Sequence, residues 1–164
     1  MVRAAQDMSL LTELALRPWS SLLDSRRHGR VHEYASYLTS LEDLLVRSTG
    51  RDLADVQSVL DGPDLQETLR EAGEIADKLG LKYREGFGAA GAHGQFLYTL
   101  CRLRPPEISV ELGVMYGWST FFILAALEKN GRGHLYSIDR PGYSPGLETI
   151  TGIVVPQRLA SRWT

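Results

Sequence analysis

Residues 109–120 read SVELGVMYGWST, and this segment constrains the architecture of the chain more strongly than any other. A short apolar run contains Glu111, two glycines follow at positions 113 and 117, and a long apolar stretch begins after Ser119. A strand that passes through a glycine turn into a helix is how α/β proteins bind nucleotide-like ligands. The segment therefore predicts both a fold class and a class of ligand.

The residues around this segment complete a βαβ unit. Residues 108–112 predict a strand with apolar residues on both faces, which is typical of a buried parallel strand. Residues 119–129 predict a helix, and residues 134–139 predict a second strand that ends at Asp139. We expect the strands to be parallel and their crossover to be right-handed. Residues 152–163 predict a short extended piece followed by the start of a helix.

The part of the chain before this unit predicts helices. Apolar residues recur at three-and-four-residue spacing within residues 10–17, 31–49, 53–60 and 65–79, and each segment ends at glycine or proline. A further helix is predicted over residues 96–103, ahead of two prolines. These stripes are best explained by helices that pack on one another and on the sheet.

Composition narrows the possible functions. The chain has 164 residues, is 43% hydrophobic and carries a formal net charge of −2, so it can bury one core and has no electrostatic basis for binding nucleic acid. Cys101 is the single cysteine, which excludes an intrachain disulfide and a thiolate zinc site, and its apolar surroundings predict a buried, inert thiol. No segment resembles a signal peptide or a membrane span. We therefore expect a cytoplasmic protein without a membrane partner.

The residue types in the βαβ unit favour one kind of ligand. Gly113 permits a tight turn, Gly117 permits a close approach to the backbone, and Asp139 can accept hydrogen bonds from a ribose diol. Ser119 or the residue after it can cap the helix. A dinucleotide site would use a third glycine, which is absent. Because Glu111 would repel phosphates, the pattern favours a cationic ligand.

The segment resembles the class I S-adenosylmethionine-dependent methyltransferases, and most closely a bacterial branch that acts on small molecules. The motif Glu-x-Gly-Val-x-x-Gly-x-Ser-Thr is matched by Glu111, Gly113, Val114, Gly117, Ser119 and Thr120. The similarity extends over about residues 91–164, includes LYSIDRP at 135–141, and is expected to continue into Val155-Pro156 and Arg162-Trp163.

This resemblance implies a cofactor role for each matched residue. Glu111 would act on the methionine end of S-adenosylmethionine, directly or through water, and Ser119 would lie near the cofactor carboxylate. Gly113 and Gly117 would line the cofactor, and Asp139 would bind its ribose. The resemblance identifies no catalytic residue, and we expect no metal site.

The resemblance also predicts an incomplete domain. We expect a helical N-terminal region over residues 1–90 and a partial, doubly wound Rossmann-like domain over residues 91–164, because only two strands and a stub toward a third are present. The chain would then be a truncated methyltransferase with weak cofactor binding and little activity alone. Its first strand would form an exposed sheet edge, where self-association is expected.

Three other interpretations stay open. In the first, the chain is a non-catalytic, truncated relative that binds either a nucleotide-like ligand or a partner. In the second it is an NAD(P)-dependent oxidoreductase, and in the third it is a helical interaction protein. Glu111 and the missing third glycine disfavour the oxidoreductase, and the strand pair disfavours the purely helical protein. The small-molecule methyl acceptor and the atom that receives the methyl group are not determined.

Overall fold

The computed structural model describes residues 40–81, 92–139 and 150–164. In these ranges the elements follow in the order α1 (Leu41–Thr49), α2 (Leu53–Leu60), α3 (Pro63–Leu79), α4 (Ala92–Leu103), β1 (Ile108–Leu112), α5 (Trp118–Asn130), β2 (His134–Ile138) and a 3-10 helix (Gln157–Arg162). The helix predicted over residues 10–17 and the proposed domain boundary at residue 90 lie outside the described residues. None of the helices in these ranges is both long and apolar enough to cross a membrane.

Local capping sets the helix boundaries. Ser40 is extended, and its hydroxyl accepts a hydrogen bond from the Asp43 backbone N–H at 3.1 Å, so that α1 begins at Leu41. The single helix predicted from residue 31 to residue 49 is therefore wrong in crossing position 40. Pro63 occupies the first turn of α3, and Gly80 ends that helix in a left-handed conformation.

The two strands form a parallel pair, which confirms the predicted βαβ unit. Ile108 lies opposite His134, and Leu112 lies opposite Ile138. A third chain segment begins to pair with the other edge of β2, because the Thr164 N–H donates to the Leu135 carbonyl at 3.0 Å. The order across the sheet is therefore β1, β2 and then residues 163–164.

The two faces of this sheet differ. Leu135 is fully buried on the face toward α5, whereas three apolar side chains on the opposite face of β1 are 65–79% exposed: Ile108, Val110 and Leu112. The prediction that β1 is buried on both faces is wrong for the described residues. One crossover helix covers only one face of two strands, so the apolar side chains of the other face remain in contact with solvent.

The hydrophobic core surrounds α5. Nine of its residues between Trp118 and Leu127 are buried, so this helix is apolar in nearly every direction. It packs against Tyr98 of α4 and against Leu65 and Ala72 of α3. Such a central helix fixes the position of its own N-terminus, and that end faces the glycine turn after β1.

Residues 150–155 form turns, so the short extended piece predicted there is wrong. Gly152 has a φ of 70°, and the Val155 N–H donates to the Gly152 carbonyl at 2.9 Å. This left-handed glycine bends the segment back toward β1 before the 3-10 helix begins.

Candidate functional site

The turn between β1 and α5 concentrates left-handed backbone conformations. Gly113, Met115 and Gly117 have φ values of 85°, 49° and 91°. This conformation is strained for Met115, which has a Cβ atom, and natural for the two glycines. The turn closes with a 2.8 Å hydrogen bond from the Gly117 N–H to the Val114 carbonyl. We call residues 113–117 the glycine turn.

Asp139 connects the end of β2 to the glycine turn. Its Oδ2 atom accepts hydrogen bonds from the N–H groups of Val114 at 3.0 Å and Met115 at 3.2 Å. The Asp139 side chain is exposed, and among the described residues no atom lies within 4 Å of a Cβ atom added to Gly113. The carboxyl ends of the two strands therefore present an exposed acidic group, and this end of a parallel sheet is where ligands bind.

Glu111 points the other way, under the glycine turn, and is 8% exposed. Its carboxylate accepts hydrogen bonds from the hydroxyl groups of Ser119, Thr120 at 2.6 Å and Ser137 at 2.8 Å. The N-cap of α5 is Gly117, without a side-chain hydrogen bond, so the predicted capping by Ser119 or Thr120 is wrong. A buried carboxylate requires several donors, and the helix N-terminus also favours negative charge there.

Gly117 is required by packing within the chain. A Cβ atom on Gly117 would lie 2.9 Å from the Gly152 Cα atom and 3.0 Å from the Val155 Cγ2 atom. The Gly152 N–H donates to the Met115 carbonyl at 2.7 Å, and the Val154 N–H donates to the Tyr116 carbonyl at 3.1 Å. The close approach that the sequence predicted for a ligand is thus made by the turn at residues 150–155.

Two side chains at this site were missed by the sequence analysis. Trp163 donates from its indole Nε1–H to the Ser137 Oγ atom at 2.9 Å, and Ser137 in turn donates to Glu111. Alternation along β2 was the available signal for Ser137, because it lies opposite Glu111 in the strand register. The resemblance reached Trp163 without giving it a role, since its partner Ser137 lies 26 positions away along the chain.

Charged residues elsewhere on the described surface form ion pairs. Lys129 donates to Asp64 at 2.9 Å, and this hydrogen bond holds the pKa of Asp64 below, and that of Lys129 above, its ordinary value. Arg158 donates to Glu128 at 2.6 Å. Cys101 is buried, as the sequence predicted, and this burial raises the pKa of its thiol to about 11. The described ranges hold no cluster of His, Cys, Asp and Glu suited to a metal ion.

All five residues expected to bind a cofactor lie at or beneath the glycine turn. Gly113 and Asp139 are at its open side, Gly117 is inside it, and Glu111 and Ser119 contact each other below it. No curated protein and no solved structure matches the chain. Residues 110–162, which span the end of β1, the glycine turn, α5 and β2, match a family model described as a methyltransferase domain. This match supports a methyltransferase domain over those residues.

Proposed function

We propose that this chain carries the S-adenosylmethionine site of a small-molecule methyltransferase. The observation that supports it best is the glycine turn, fixed by Asp139 at the carboxyl ends of two parallel strands within the matched segment. Ligands of open α/β sheets bind outside the carboxyl ends of the strands. When bound, S-adenosylmethionine supplies an activated methyl group on a sulfonium sulfur.

The chemistry of the site fits this cofactor better than a dinucleotide. Asp139 and Glu111 bring two carboxylates to the same turn, which favours a ligand with cationic groups over a pyrophosphate. Asp139 follows β2 at the carboxyl end of the sheet, where we expect it to accept from a ribose hydroxyl of the cofactor. Among the described residues nothing occupies the position of a Gly113 Cβ atom, so the cofactor would approach the backbone there.

Glu111 would act on the methionine end of the cofactor through Ser119. The Glu111 carboxylate is buried and bound to hydroxyl groups, whereas Ser119 is partly exposed. Ser119 donates its proton to Glu111, so its oxygen keeps lone pairs that can accept from the α-ammonium group of the cofactor.

Ligand-induced stabilisation tests the proposal. We expect S-adenosylhomocysteine, the product of the cofactor, to raise the melting temperature at a concentration where NAD has no effect. The Asp139→Ala variant should weaken this binding at least tenfold, or about 1.4 kcal/mol, because the ribose partner is lost. Asp77→Asn on the exposed surface of α3 is the control and should bind as the wild type does. Stabilisation by NAD alone would instead favour the oxidoreductase, and no stabilisation by either would reject a nucleotide site.

We also propose that the exposed face of the sheet mediates self-association. Ile108, Val110 and Leu112 of β1 lie beside the exposed Tyr136 and Ile138 of β2, which makes a contiguous apolar surface. Sedimentation velocity across a concentration series should show a reversible dimer. Val110→Lys should shift the equilibrium toward monomer, and a wild type that stays monomeric at high concentration would contradict this proposal.

A further inference from the structure

The segment at residues 150–164 contacts both the glycine turn and β2. Within it, Trp163 contacts β2 directly and reaches the glycine turn through Gly152. We propose that Trp163 is a positioning residue that fixes the shape of the glycine turn. The proposal rests on the function proposed above, since the glycine turn is there the edge of the cofactor site. It adds a role for a residue that lies just beyond the matched segment.

The first supporting contact is between the Trp163 ring and Gly152. A Cβ atom at Gly152 would overlap the indole ring, and Gly152 is also the residue against which Gly117 packs. The ring, Gly152 and Gly117 therefore form a stack in which neither glycine has room for a side chain. The Gly152 N–H donates to the Met115 carbonyl at 2.7 Å. By fixing Gly152, the ring therefore also fixes the donor to the strained Met115.

The second contact is a directed chain of hydrogen bonds. The indole N–H can only donate, so the Ser137 hydroxyl accepts from Trp163 at 2.9 Å and turns its own proton to Glu111 at 2.8 Å. Thr120 donates to the same Glu111 oxygen at 2.6 Å. Trp163 thus orients the hydroxyl network beneath the turn as well as the backbone beside it.

The backbone of Trp163 is itself held by the sheet. Trp163 forms a parallel bridge with Leu135, and the Ser137 N–H donates to the Thr164 carbonyl at 2.7 Å. The pairing of residues 163–164 with β2 therefore sets the position of the Trp163 ring beside the glycine turn. A strained residue such as Met115 persists when its surroundings fix it from several sides, here Asp139 at its N–H and Gly152 at its carbonyl.

A double-mutant cycle tests the ring contact. Gly152→Ala should destabilise the wild type strongly, because the new methyl group overlaps the ring, and should cost much less in the Trp163→Ala background. The backbone strain of alanine at a φ of 70° is common to both backgrounds and cancels in the cycle. Equal costs of Gly152→Ala in the two backgrounds would reject the contact.

Amide hydrogen exchange and ligand affinity test the positioning role. Trp163→Phe retains a ring and loses the donor to Ser137, and Leu45→Ala in α1 is a control that weakens the core away from the turn. At a temperature where all variants are folded, Trp163→Ala should speed exchange of the Gly117 and Gly152 amides at least tenfold more than the control does.

The affinity for S-adenosylhomocysteine separates the two proposals. We expect both Trp163 variants to bind it several-fold more weakly than wild type, and Leu45→Ala to bind it normally. If the Trp163 variants bind as the wild type does, the positioning role is wrong although the proposed function stands. If the wild type binds none, the proposed function fails, and the exchange of the Gly117 and Gly152 amides then decides the positioning role alone.

Discussion

Removing the acceptor oxygens of Glu111, the one charged residue of β1, should destabilise the fold. Three hydroxyl groups donate to this carboxylate, and hydrogen bonds to a charged group contribute about 1.5–3 kcal/mol each. In Glu111→Gln the amide oxygen can still accept from Thr120 and Ser137, so we expect a loss of only about 1–2 kcal/mol.

Glu111→Ala loses every acceptor and leaves a small cavity. Thr120 is fully buried, so its hydroxyl would lose the carboxylate without gaining water. Some of this cost is recovered because Ser119 is partly exposed, so its hydroxyl can bind water instead. We expect a net loss of about 2–4 kcal/mol in the free energy of unfolding.

Urea denaturation followed by tryptophan fluorescence and circular dichroism measures these differences, provided that the m value is unchanged. Glu107→Gln is the matched control, because Glu107 is exposed just before β1 and should stay within about 0.5 kcal/mol of wild type. If Glu111→Ala is as stable as this control, the hydroxyl network does not stabilise the turn, and the structural reasoning is wrong.

Three further predictions concern packing, thiol reactivity and pH. Gly117→Ala should cost about 2–4 kcal/mol in unfolding free energy because it adds steric overlap to strain. The new methyl group of Gly113→Ala meets no described atom within 4 Å, so this variant should cost only the strain of about 1–2 kcal/mol, and equal losses would contradict the packing of Gly117 against Gly152. With a pKa of about 11 against an ordinary value of 9.0, Cys101 should react with a disulfide reagent about 100-fold more slowly in the folded protein than in denaturant, and equal rates would show it to be accessible. The lowered pKa of Asp64 contributes stability that is present above its ordinary value of 3.8 and is lost as the pH falls through the folded value. In a plot of unfolding free energy against pH, Asp64→Asn should therefore reduce the fall on the acid side by at most about 1 kcal/mol. An unchanged acid side would show that the Asp64–Lys129 pair is broken in solution.

The βαβ unit was predictable because its signals are local. The predicted strand at residues 108–112 coincides with β1, and the predicted helix at residues 119–129 differs from α5 by one residue at each end. Gly131 ends α5 in a left-handed conformation, which is a local signal at the helix C-terminus. Parallel pairing followed from the length of the crossover, which is too long for a hairpin.

Two of the errors, the helix cap and the long helix through position 40, share a physical cause. Ser119 and Thr120 have the composition of helix caps, yet their hydroxyls donate to Glu111, which the strand brings beneath the helix. Ser40 interrupts a periodic apolar pattern because one hydroxyl satisfies a backbone N–H group. In each case a single polar contact outweighed a weak local preference.

The sequence by itself determined the order of the elements, the glycine turn and the acidic residues that accompany it, because periodicity and glycine conformations act within a few residues. The tertiary structure alone decided which partner each of those residues has. Gly117 packs against Gly152, Glu111 binds three hydroxyl groups, and Trp163 joins the two regions. These contacts link residues that are 8 to 35 positions apart in the chain. They exist only because α5 packs against the sheet and brings its N-terminus beneath the glycine turn.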